Sequence, residues 1–170
     1  MAFTKSGWYL NTFMAFLKAT TQTGGTLALT GQDAATYLSL QSNAGTDGTA
    51  PLNFSAASPA WANTNEVTGT GWATGGVQTS VAASGGTNVT STLVEGTAGS
   101  ARYSWTNPLA VAGTTLTNIF GCIIYHHSIT APVNLPMILC IAFGSGYNTV
   151  AGVFGITPSG TGLSEIDLTP

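Results

Sequence analysis

Leu116-Thr117-Asn118-Ile119-Phe120-Gly121-Cys122-Ile123-Ile124-Tyr125 and Leu135-Pro136-Met137-Ile138-Leu139-Cys140-Ile141-Ala142-Phe143 are the two stretches that decide the fold. Both are rich in Ile, Leu and Phe, and neither shows the alternation of a strand with one wet face. Runs of this kind read as central strands buried on both sides. They are far shorter than the ~20 residues a membrane-spanning helix needs.

Strand and turn signals continue outward from this pair. Residues 152–157 and 162–169 read as strands around a Pro158-Ser159-Gly160 turn. Toward the N-terminus, residues 102–106 place Tyr103 and Trp105 on one face. Residues 76–83 and 87–95 flank a Ser84-Gly85-Gly86 turn. In residues 35–41, Tyr37 and Ser39 alternate with Leu38 and Leu40, as in a half-buried strand. About eight short strands between residues 35 and 169 predict an all-β fold, a β-sandwich or a jelly-roll-like barrel. One helix is expected over residues 6–20. Leu10, Phe13, Met14 and Leu17 form an amphipathic stripe, Ser6 is placed to cap it, and Gly24-Gly25 closes it. A chain of 170 residues fits one such domain, residues 1–170.

Charge is the most unusual feature of the composition. Charged residues make up 5% of the chain, against roughly 25% in an average soluble domain. No Asp, Glu, Lys or Arg lies between Tyr103 and Ser164. A surface of Thr, Ser, Asn and backbone is cheap to desolvate and repels its own copies weakly. Both properties favour a component buried in an assembly. Three cationic residues and a net charge of −3 argue against nucleic acid and against a polybasic membrane-surface patch, since each needs several Lys or Arg on one face. The apolar stretch after Lys5 is interrupted by Asn11 and Thr12 and followed by Lys18, so it reads as mature structure rather than a signal peptide.

Catalytic and metal-binding patterns are sparse. His126-His127 follows Cys122, yet adjacent strand residues face opposite sides and no carboxylate or CxxC pair completes a ligand set. A turn or strand-end pair is the default reading, and no metal or cofactor is expected. Glu165 and Asp167 share one strand face and read as edge charges. No Gly-x-Ser-x-Gly elbow and no phosphate-binding loop occurs, so no enzyme is expected. Cys122 and Cys140 lie on neighbouring strands, where a cross-strand disulfide is conceivable; two buried thiols is the plainer reading.

Asn65-Glu66-Val67-Thr68-Gly69-Thr70-Gly71-Trp72-Ala73-Thr74-Gly75-Gly76-Val77 is too Gly-rich for a helix and reads as a fixed, tightly turned loop. Trp72 is the side chain able to pin it, and reads first as an intramolecular staple. Glu66, its sole charge, is expected to accept backbone N–H groups or to pair with a partner's cation. The segment resembles the Asn-Glu-Val-Ser/Thr-Gly-x-Gly-aromatic motif of a family of small tailed-bacteriophage virion proteins, labelled head-decoration or minor tail proteins. Residues 121–125, 139–144, 152–157 and 162–168 resemble later strands of that family. His126-His127, Thr157-Pro158 and the excursion over residues 46–65 depart from it.

The resemblance implies a non-catalytic structural protein of the virion. The expected role is that of a capsid decoration (cement) protein on the outer surface, with the major capsid protein and copies of itself as partners. A tail or tail-fibre component is the alternative. A carbohydrate-binding module, with Trp61 or Trp105 stacking on a sugar, is a third possibility. Candidate contact residues are Glu66, Trp72, Phe3, Trp8, Phe54 and Trp61.

Overall fold

The computed structural model describes residues 7–8, 36–42, 60–63, 65–79, 91–95, 100–105, 109–127, 134–157 and 164–167, with backbone alone for 7–8, 36, 91–95, 100–105, 109 and 164–167. Phe3, Phe54 and the Leu10–Leu17 stripe lie outside these residues, as do the turns at 84–86 and 158–160. All regular structure among the described residues is β. Its strands are β1 (Gly7–Trp8), β2 (Thr36–Ser42), β3 (Val77–Gln78), β4 (Ser91–Glu95), β5 (Ser100–Trp105), β6 (Leu109–His126), β7 (Met137–Ile156) and β8 (Ser164–Asp167).

Two antiparallel sheets result. One runs β1-β7-β6-β2-β3 and the other β4-β5-β8. Gly7 and Trp8 pair with Cys140 and Leu139. The expected helix over residues 6–20 therefore does not include these two positions, which the edge of β7 holds extended. Glu165 and Asp167 lie on β8, an edge strand of the smaller sheet, as their charge suggested.

The centre of the larger sheet is buried on both faces. Directly opposed residues of antiparallel strands share a face, and successive residues alternate. Leu38, Leu40, Cys122, Ile124 and Leu139 belong to one apolar cluster, together with Trp72, Leu116 and Phe154. Ile123, Tyr125, Met137 and Cys140 form the second cluster, with Tyr37 and Trp61 packed against it. Cys122 lies opposite Ile141, and Cys140 opposite Ile123. The two thiols thus point to opposite faces, and they are not bridged. Strand β2 departs from the half-buried expectation: Ser39 and Gln41 are as deeply buried as Leu38 and Leu40.

The β6–β7 hairpin is longer than the sequence suggested. Residues 137–143 and 152–156 lie on one strand, not two. Its ladder is broken repeatedly between Val111 and Gly121, where Ile119 opposes Tyr147 but Gly121 opposes Ala142. Such bulges bend a ribbon and strengthen its twist. Phe143 and Phe154 are far apart along β7, yet their ring centroids approach to 6.2 Å, so the strand curls back over the first cluster. Side chains replace ladder bonds where register is lost. Asn148 Oδ1 accepts the Asn118 N–H at 2.8 Å, and Thr115 Oγ1 accepts the Ala151 N–H at 3.1 Å. Thr149 Oγ1 accepts the Leu116 N–H at 3.1 Å and lies 2.9 Å from the buried Thr114 hydroxyl.

Candidate functional site

The loop over residues 65–77 is an edge strand that leaves the sheet and returns to it. At its start, Ser42 N–H donates to Asn65 O and Val67 N–H to Leu40 O, both at 2.9 Å. At its end, Val77 pairs with Leu38 and Gln78 with Tyr37. Residues 68–76 are therefore looped out opposite Ser39. Asn65 supplies the positive φ (67°) that opens the excursion, and Gly71, Gly75 and Gly76 supply the others. Gly76 is required for space as well, because a Cβ there would run into the Leu38 carbonyl.

Trp72 turns the excursion inward. Gly69 and Trp72 exchange backbone hydrogen bonds at 2.9 and 3.0 Å, a tight turn that drops the indole onto the sheet. The side chain is 1% exposed and packs edge-on against Phe154, with centroids 5.7 Å apart at 86°. The far side of the loop reaches the curled ribbon, where Thr115 N–H donates to Thr70 O at 3.2 Å. Trp72 is thus the intramolecular staple expected of it. Its Nε1–H has no hydrogen-bond partner and is buried.

Glu66 closes the neck of the excursion on the opposite face. Its carboxylate accepts the Ser39 hydroxyl at 2.9 Å and the Gly75 N–H at 3.0 and 3.1 Å. Gln41 Nε2 donates to Ser39 Oγ at 3.0 Å, and Tyr125 Oη donates to Gly75 O at 2.7 Å. Ser39, Gln41, Glu66 and Tyr125 each find a partner in this network, which is the condition for polar groups to be stable when buried. Burial, then the charge of Glu66, then Tyr37 hold the Tyr125 phenol well above its ordinary range, so it remains a donor. Glu66 therefore bonds inside its own fold. The Ser39 hydroxyl donates its hydrogen bond to that carboxylate and is fully buried, so it offers no face to a substrate.

The remaining candidates separate. Trp61 lies flat on Tyr125, centroids 4.4 Å apart at 3°, and its backbone N–H donates to Leu135 O at 2.9 Å. One face of the indole is thus covered, and Nε1 is buried without a partner. Of Trp8 and Trp105 the backbone alone is described, in β1 and β5. His126 and His127 diverge. His126 sits at the end of β6 opposite Thr36, and its imidazole is held below its ordinary pKa by burial and then by His127. His127 is exposed and stacks on Tyr37 at 4.5 Å. Among the described residues no three His, Cys, Asp or Glu side chains converge. No helix among them is long and apolar enough to cross a membrane.

Ser39, Gln41 and Tyr125 belong to the site but were not singled out by sequence. A one-charge loop beside a strand with polar residues at alternate positions was the available signal. Compared with protein-family models, curated proteins and solved structures, the chain matches none.

Proposed function

We propose that the chain is a non-catalytic structural protein of a tailed-bacteriophage virion. In this reading it is a capsid decoration protein that binds the outer surface of the shell and stabilises it. Its two sheets pack as a β-sandwich, and its partners are the major capsid protein and copies of itself. The carrying observation is the stretch of sequence between Tyr103 and Ser164, which lacks any Asp, Glu, Lys or Arg and so gives whatever surface it forms no such charge. Burying such a surface against neighbours costs little desolvation, which suits a subunit repeated across a shell. The Trp72 loop supports the reading in a second way. Its one carboxylate is spent on Ser39 and Gly75, which leaves shape rather than chemistry as what the loop presents.

The test is location. Gold-labelled antibody against the chain, applied to purified particles, is expected to decorate the shell densely, with hundreds of copies by quantitative mass spectrometry. A handful of copies on the tail would select a tail role instead. Absence from both head and tail would overturn the proposal.

A further inference from the structure

The excursion over residues 68–76 is tied down at its neck and at its tip, and by different groups. The neck belongs to the centre of the larger sheet. There Val67 N–H donates to Leu40 O, Glu66 accepts the Gly75 N–H, and Tyr125 Oη donates to Gly75 O. The tip belongs to the β6–β7 ribbon. Thr70 forms an isolated antiparallel bridge with Thr115, and Trp72 lies against Phe154. A Cβ on Gly69 would overlap the Thr115 carbonyl oxygen, so the tip rests directly on the β6 backbone.

The ribbon under the tip is built in two parts. Residues 121–124 pair regularly with 139–142, and Leu109–Val111 with Phe154–Ile156. Between them the register is lost. From the Ile119–Tyr147 pair to the Gly121–Ala142 pair the chain advances two residues on β6 (121 − 119) and five on β7 (147 − 142). Asn118 and Gly144, one on each strand, take φ of 59° and 76° in this joint. Beyond it the two strands hold each other. Thr114 Oγ1 donates to Thr149 Oγ1 at 2.9 Å, and Leu116 N–H to Thr149 Oγ1 and Ala151 N–H to Thr115 Oγ1 at 3.1 Å. Among the described strands, β2 reaches β6 no further than Ile119, and β1 meets β7 only at Leu139 and Cys140.

We propose that residues 109–116 and 149–156 form a hinged arm, and that the excursion is the latch that holds it curled over the sheet. Released, the arm turns about the joint as one body while the neck and the sheet centre stay folded. Thr115 is the node of the device. Its N–H bonds the latch and its hydroxyl bonds β7, so the tip grips both strands of the arm through one residue. Opening draws Phe154 away from Trp72 and wets both rings, which keeps the closed state dominant in the free chain. The latch rests on these contacts alone and is independent of the assembly in which the chain works.

Paired spin labels measure the motion. The native thiols are buried, so labels go to cysteines introduced at exposed positions. Ala62→Cys with Val150→Cys spans from the sheet side to the arm, and Ala112→Cys with Val150→Cys lies within the arm. Gly69→Ala displaces the tip and leaves the groups of the neck in place. It is expected to add a second, longer distance to the first pair, at least ~10-fold more populated than in the unaltered chain, and to leave the second pair unchanged. Trp72→Ala is the alternative should Gly69→Ala not fold, which circular dichroism reads. Unchanged distances in the first pair, or equal broadening in both pairs, overturns the proposal. So does loss of the whole fold in both variants, because latch, arm and sheet would then be one cooperative unit.

Discussion

Replacing Trp72 is the most direct test of the loop's architecture. A buried Trp removes ~200 Å² from water, and at ~25 cal/mol per Å² this is worth about 5 kcal/mol. The unfolded chain already hides part of that area, which lowers the figure to about 3–4 kcal/mol. The indole N–H has no partner, so removing it returns about 1 kcal/mol. The void left above Phe154 then acts in the opposite direction. Trp72→Ala is expected to destabilise by about 3 kcal/mol, a fall in Tm of roughly 6–12 °C for a domain of this size. Trp72→Phe keeps most of the contact and deletes the unpartnered donor, so its cost is about 1 kcal/mol. Urea titration gives the global values. Hydrogen exchange at Gly69 and Trp72, whose amides bond each other, reports whether the excursion opens before the sheet does. A loss under about 1 kcal/mol for the alanine variant, or equal losses for both variants, would show that the loop is held by something other than the indole.

Four further outcomes follow from the same geometry. Gly76→Ala is expected to cost at least about 2 kcal/mol by thermal unfolding, because φ is +76° and the new Cβ meets the Leu38 carbonyl; a neutral result would mean that β3 is not seated on β2. Glu66→Gln keeps the volume but sets an amide or a weaker acceptor against the Gly75 N–H, so about 1–3 kcal/mol should be lost in urea titration. Burial, followed by Cys140, raises the Cys122 thiol, and both cysteines are buried without a bridge. Neither should react with a thiol reagent at neutral pH until denaturant is added. His126 has its pKa lowered from 6.5 in the fold, so the unfolded chain binds that proton more readily. Its contribution to stability is full above pH ~6.5 and declines as pH falls through that value toward the folded pKa. Replacing His126 with Gln should flatten this part of the stability–pH curve, and an unchanged slope would assign it elsewhere.

The legible parts of this fold are those where a local pattern and a tertiary environment agree. Ile123-Ile124 and the run from Ile138 to Ile141 are apolar at consecutive positions, and the sheet is indeed covered on both faces there. Glu66 and Trp72 stood out because each is chemically unlike its neighbours. Misreadings fall where distant groups supply what the local sequence lacks. Residues 135–143 and 152–157 read as two strands, yet β7 runs through both, because Thr149 and Asn148 accept N–H groups from β6 and Thr115 accepts one from β7 itself. Those bonds join residues on two strands that no spacing rule links. Ser39 and Gln41 read as a wet face, yet Glu66 and the returning loop bury them. That second misreading carries information. A lone carboxylate in a chain with so few charges must either face a partner or find donors at home. A strand with Ser and Gln at alternate positions is where such donors would be sought. Had those two facts been joined, the neck of the excursion could have been placed on β2 before any coordinate was known, and Glu66 assigned to the fold rather than to an interface.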